Sequence, residues 1–157
     1  MSNVSVSKFF QQDHDRMDEL FKSFQKHQSS DYARAREYFV QFKFGWKRHM
    51  VWEEQILLPI LEKKAGTAAA APIRVMKLEH KQIAEYLESI HQKVKAGGTN
   101  TGEEETRLLA VLALHSQNEE NILFPALDRL LDSKELDALF ETLRNVPEES
   151  YNQCCHH

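Results

Sequence analysis

Four histidines and two glutamates stand at spacings that could build a metal centre. In the first half of the chain His14 is followed 35 residues on by His49, and His49 four residues on by Glu53; in the second half His80, His115 and Glu119 repeat both intervals. Imidazole nitrogens and carboxylate oxygens are donors that divalent transition metals accept, and the combination suits iron. Four nitrogens and two carboxylates are more than a tetrahedral zinc site uses. They fit two metal ions roughly 3.5 to 4 Å apart, bridged by the two glutamates. A histidine and a glutamate four apart lie one turn from each other on the same side of a helix, so both can reach one centre. The neighbouring Glu54 and Glu120 would project about 100° away from that face.

The competing reading is a polar layer inside a helical core, satisfied by hydrogen bonds. For any one of these histidines it is the better reading. For the symmetric set it is not, because an ionised carboxylate left buried and unpaired costs several kcal/mol, and two of them beside four imidazoles call for cations.

The elements that must position these residues are written as a duplication. The segment His49 to Leu61, HMVWEEQILLPIL, returns as HSQNEENILFPAL over His115 to Leu127, an offset of 115 − 49 = 66 residues. The same offset carries Phe10 onto Met76, His14 onto His80, Met17 onto Ile83, Phe21 onto Leu87 and Phe24 onto Ile90. Each repeat reads as two amphipathic helices, because apolar residues alternate steps of three and four. The stripes are Phe10, Met17, Phe21 and Phe24; Phe42, Trp46, Ile56 and Ile60; Met76, Ile83, Leu87, Ile90 and Val94; and Leu108, Leu112, Ile122 and Ala126. The six chemical residues fill the gaps in these stripes and so point inward.

Capping residues mark the breaks. Ser29, Ser30 and Asp31 can start the second helix, Pro72 suits a first turn, Gly97 and Gly98 end the third helix, and Thr101 and Gly102 precede the fourth. The turns near residue 31 and at Gly97–Gly98 fall midway between the histidines of each half, so folding each hairpin brings its two histidines level. The expected fold is all-α: an up-down-up-down four-helix bundle of two repeated hairpins joined through Ala65 to Ala71. A short C-terminal helix is expected from Asp132 or Ser133 to about Asn145, with Glu135 completing a cap. Pro59 and Pro125, each ten residues after its histidine, should kink or end their helices.

The chain of 157 residues, 41% hydrophobic, suits one domain, expected over residues 1–146, with a polar and flexible tail over 147–157. With 20 basic and 24 acidic residues and no long block of either sign, nothing suggests a nucleic-acid surface. The segment from Met1 to Phe10 lacks a signal-peptide pattern, and no apolar run is long enough to span a bilayer, so a soluble cytoplasmic protein without membrane contact is expected. Cys154 and Cys155 are adjacent and cannot staple distant parts of the chain. The tail Cys154-Cys155-His156-His157 could capture a soft metal, though a disordered end is the simpler reading. Trp46 could wall a small-molecule pocket, with plain core packing the commoner role; Tyr32, Tyr38 and Tyr86 fall outside the stripes and are not expected as ligands, and His27 and His91, near helix ends and outside the repeat's correspondence, are expected as solvated surface residues.

A histidine followed by His-x-x-x-Glu, twice over, resembles the hemerythrin-like family, also called the HHE cation-binding domain, over about residues 8–131. The resemblance implies a non-haem di-iron centre in which His14 and His49 ligate one iron, His80 and His115 the other, and Glu53 and Glu119 bridge them together with an oxo or hydroxo group. Two departures stand out. Oxygen-carrying hemerythrins have a second histidine on the third helix, four after the first, where this chain has Ala84; and they place the last carboxylate five residues after its histidine, at Glu120 here, whereas the repeat favours Glu119. A missing ligand should leave open coordination positions and nearly equivalent irons, which weakens the case for stable oxygen carriage. The implied function is binding of a small oxidant or diatomic ligand (dioxygen, nitric oxide or peroxide) for sensing, delivery or scavenging. The alternatives are a redox enzyme that removes peroxide or nitric oxide or repairs iron-sulfur centres, and an iron-sensing or storage module.

Overall fold

The computed structural model describes residues 4–98 and 100–153, which are helical nearly throughout, with no strand among the described residues. The first hairpin pairs α1 (Val6–His27) with α2 (Tyr32–Trp52). The latter continues through a π-helical turn (Glu53–Leu57) into α3 (Leu58–Ala65). A 3-10 turn (Gly66–Ala69) leads into α4 (Ala70–Lys95). The second hairpin returns through α5 (Gly102–Asn118), a second π-helical turn (Glu119–Leu123) and α6 (Phe124–Leu130). The chain ends in α7 (Ser133–Arg144) and the single turn α8 (Ser150–Gln153). Four long helical segments thus form the body, with α1 packed along α2, α4 along α5, α1 against α6 and α2 against α4.

The caps agree with the sequence signals. Ser5 accepts from the backbone N–H of Lys8, and Asp31 from that of Arg34. Asp132 and Glu135 exchange hydrogen bonds in a full capping box at the start of α7. Gly97, at φ +82°, takes the left-handed position that ends α4, while the amide of Gly98 reaches back to the carbonyl of Lys93. Three glutamates in the first turn of α5 complement its dipole. Gly45 permits close approach of α1 and α2, because a Cβ there would stand 3.2 Å from Cγ of Met17.

Two apolar clusters result. One gathers Phe10, Trp52, Leu57, Phe124 and Leu127 with Leu139, Phe140 and Tyr151 from the C-terminal helices. The other gathers Met17, Phe21, Phe42, Trp46, Ile83, Leu87 and Leu112. Between them the stripes carry the six polar residues.

Three expectations need correction. Ile122, expected in the core, is 64% exposed, whereas its repeat counterpart Ile56 is 8% exposed. The stripe is correct about direction, but among the described residues nothing packs over it in the second half. Past Pro147 the chain does not simply fray: Tyr151 is buried, its ring lies edge-on to Phe44, and its hydroxyl accepts from Nε1 of Trp52 at 2.9 Å. His91, expected as a solvated surface residue, is half-buried and accepts from Nζ of Lys43 at 2.7 Å. The tail Cys154-Cys155-His156-His157 lies outside the described residues. No helix among the described residues is long and apolar enough to cross a membrane.

Candidate metal centre

The six residues named from the sequence meet between the two apolar clusters. All are buried, with His49, Glu53, His115 and Glu119 at 0% exposure. His14 comes from α1 and His80 from α4; His49 and His115 lie near the ends of α2 and α5, and Glu53 and Glu119 open the two π turns. The repeated break expected at the prolines takes the form of these turns. Proline cannot donate to the fourth residue back, and its ring crowds that carbonyl. The turn widens just before it, so that the amides of Leu58 and Phe124 bond five residues back, to the carbonyls of Glu53 and Glu119.

Two triads emerge, His14–His49–Glu119 and Glu53–His80–His115, each with donor atoms within 4.8 Å of one another. In the first, Nε2 of His14 lies 3.1 Å from Nε2 of His49 and 3.2 Å from Oε1 of Glu119. In the second, Oε1 of Glu53 lies 3.2 Å from Nε2 of His80 and 3.7 Å from Nε2 of His115. The carboxylates also cross between the triads: Glu53 comes within 3.3 Å of His49, and Glu119 within 3.1 Å of His115. Each histidine pair therefore belongs to one half of the repeat, and each carboxylate faces both pairs.

Outside this ring stands another that the sequence reading did not identify. Nδ1 of His49 donates to Asp13 at 2.9 Å and Nδ1 of His115 to Glu79 at 3.0 Å, while Nδ1 of His14 faces Glu120 at 3.5 Å and Nδ1 of His80 faces Glu54 at 3.7 Å. Glu54 and Glu120 thus do not turn away from the centre; each serves the histidine of the other half. The signal was available, since Asp13 and Glu79, like Glu54 and Glu120, are one repeat of 66 residues apart (79 − 13 and 120 − 54).

This arrangement fits a metal ion on chemical grounds. A neutral imidazole has one N–H and one lone pair. At His49 and His115, donation from Nδ1 to an outer carboxylate leaves the Nε2 lone pair directed inward, the usual support for a metal-bound histidine. Both oxygens of Glu119, Oε2 of Glu53 and Nε2 of His115 are buried without a hydrogen-bond partner among the described residues. Buried groups of this kind need a partner, and a cation can supply it.

The electrostatics are strongly coupled. Burial pushes the carboxyl of Glu53 up, but His49, His115 and His80 outweigh it and hold the group well below the carboxylate range. Burial also raises Asp13, yet His49 and Arg16 bring it down to about 2. For His80, burial disfavours the charged form, and Glu53 with Glu54 overturns this and lifts it to about 9. His14 has burial and the charge of His49 against it and falls to about 4. Trp46 walls the site, its ring 5.1 to 6.2 Å from those of His14, His49 and His115. Among the residues set aside, Tyr32 bonds the carbonyls of Val94 and Gly98, and His27 that of Ser23.

The chain is 33% identical over 87 residues to the iron-sulfur cluster repair protein YtfE of Yersinia pseudotuberculosis serotype IB (strain PB1/+), and 32% identical over 87 residues to that of Yersinia pestis (strain Pestoides F). In each case the match takes in 50% of this chain and 39% of the relative, so the chain spans well under half the length of these relatives. No solved structure gives a match. The Hemerythrin HHE cation binding domain matches residues 5–127, a stretch that contains all six inner residues and all four outer carboxylates, and the chain belongs to that family.

Proposed function

We propose that this chain is a non-haem di-iron protein of the cytoplasm that takes up a small oxidant or diatomic ligand, namely dioxygen, nitric oxide or peroxide. The observation that carries the reading is the double ring: four Nε2 atoms and two carboxylates directed inward, with an outer carboxylate behind every histidine. His14 and His49 would hold one iron and His80 and His115 the other, with Glu53 and Glu119 shared between them and an oxo or hydroxo group completing the bridge. In this reading the four long helices run up, down, up and down. Bound iron would supply redox chemistry and the site for the small ligand. The protein supplies a buried chamber walled by Trp46 and, at His49 and His115, imidazoles whose tautomer an outer carboxylate fixes. Neutral imidazoles stabilise high-valent iron less than carboxylates do, which favours binding over demanding oxidation.

A second reading, redox turnover in peroxide or nitric oxide removal or in iron-sulfur repair, is favoured by Ala84 in place of a fifth histidine and by the names of the relatives. Protein produced with iron should carry about two irons per chain and show the visible bands of a bridged ferric pair, and His115→Ala should lose metal. Colourless protein without stoichiometric metal would overturn both readings. Catalytic consumption of nitric oxide or peroxide selects the second reading, and stoichiometric uptake the first.

A further inference from the structure

Trp46 and Leu112 are equivalent positions of the duplication, 112 − 46 = 66 residues apart, and each stands three residues before the second histidine of its half. That spacing places both on the helix face that carries the histidine. Both side chains are buried, yet only one bears a polar atom. Nε1 of Trp46 can donate a hydrogen bond and cannot accept one. It is shut away from solvent, and among the described residues it has no hydrogen-bond partner. Buried indole N–H groups ordinarily have an acceptor, because one left unpaired gives up its hydration for nothing. The other tryptophan follows that rule: Nε1 of Trp52 donates to the hydroxyl of Tyr151 at 2.9 Å.

The surroundings of Trp46 narrow the choice of acceptor. Its ring stacks on that of His14 at 5.6 Å, meets that of His49 edge-on at 5.1 Å and lies 6.2 Å from that of His115, so it borders both triads. The side chains clustered with it, among them Met17, Phe42, Met50 and Leu112, are apolar and offer at most a weak thioether. Glu53 and Glu119 would have their oxygens engaged by iron in the reading above. We infer that the Trp46 N–H donates to the outer atom of a small ligand taken up at the di-iron centre, and so favours one that carries negative charge there, peroxide ahead of a neutral gas. The inference rests on the di-iron reading and adds to it a residue that orients the ligand. A donor held in a buried chamber acts most strongly on a charged acceptor. The proton stays on the indole, so the contact moves neither proton nor electron. Leu112 offers no such bond, and the ligand's outer atom is therefore drawn toward α2.

Azide, a small anion with lone pairs at both ends, is the probe, added to the iron-loaded full chain. Trp46→Phe keeps an aromatic wall and removes the donor. With iron content unchanged, its affinity for azide in a visible titration should fall roughly 10- to 100-fold, the range for a hydrogen bond to a charged group. Leu112→Ala disturbs the matching position without removing a donor and should cost much less; equal losses would reduce Trp46 to packing and sink the inference. Ultraviolet resonance Raman spectra of the unsubstituted chain give a readout that packing does not move. The chain has two tryptophans, and Trp52 is already bonded. The indole N–H band should therefore report one free and one bonded group before azide, and two bonded groups after it. A Trp46 N–H that stays free, or that is bonded before azide and unmoved by it, would overturn the inference while leaving the di-iron reading intact. Protein without stoichiometric iron would overturn that reading, and the inference with it.

Discussion

His49 and His115 each donate an N–H to an acidic side chain, Asp13 and Glu79, that stands directly behind these proposed ligands. Such outer partners fix the tautomer and aim of a ligand. Their loss typically lowers metal affinity about 10- to 100-fold. Glu79→Ala should do so in competition with a chromophoric chelator, while Glu79→Gln, whose amide oxygen still accepts from Nδ1, should lose less; equal losses would reduce Glu79 to general charge. Protonation supplies a second prediction. In the metal-free protein His80 is held up at about 9, chiefly by Glu53 and Glu54 against the effect of burial. A ligand must be neutral, so at pH 7 metal uptake on the His80–His115 side displaces a proton from His80, and affinity should rise with pH toward 9. Proton release on titrating iron into weakly buffered protein, read with a pH dye, checks this; uptake without release at pH 7 would contradict it.

At the scale of elements, the helices and the convergence of the six inner residues were legible because both are periodic: the three-and-four rhythm marked each buried face, and the 66-residue repeat marked the polar residues that interrupt it. What escaped lay off the apolar stripes. The π turns occur at matching places in both halves, so the comparison of one repeat with the other could not reveal them. Glu54 and Glu120 were turned away by ordinary helical geometry, and the widened turn is the element in which that geometry does not hold. The turn α8 is too short to show any stripe, yet it closes the end of α2. Tyr151→Phe should cost about 1 kcal/mol in urea unfolding by stranding the indole N–H of Trp52, and no change would mean that water replaces the hydroxyl. The α2–α4 contact carries its own pH dependence. Lys43 holds Glu88 at about 2, below its ordinary 4.5. The pair therefore contributes fully above pH 4.5 and fades as pH falls from there toward 2. Glu88 is 45% exposed, so Glu88→Gln should lower stability at pH 7 by no more than about 1 kcal/mol, and the gap from wild type should close across that acid window.

The whole molecule is a duplicated hairpin made unequal by its C-terminal helices. The two repeats supply matching candidate ligands, but the third pair of elements, α7 and α8, lies over only one of them. The sequence displayed the equality and concealed the inequality, since a stripe of apolar residues says which way a helix faces and not whether anything lies on it. The inequality reaches inward. Asp13 is held beneath Arg16 and Arg48, whereas Glu79, its counterpart, lines an apolar groove of about 490 Å³ with Leu58, Met76 and Ile122. Ions held as proposed would share one chamber yet leave it by separate exits of different ease. A strong chelator added to loaded protein should then strip iron in two kinetic phases, the faster from the His80–His115 side, leaving a transient chain with a single ion; one uniform phase would mean that the exits are equivalent. Such a lability gap would let the vacated place be refilled by a different metal, so that the duplicated halves would hold their ions with unequal persistence.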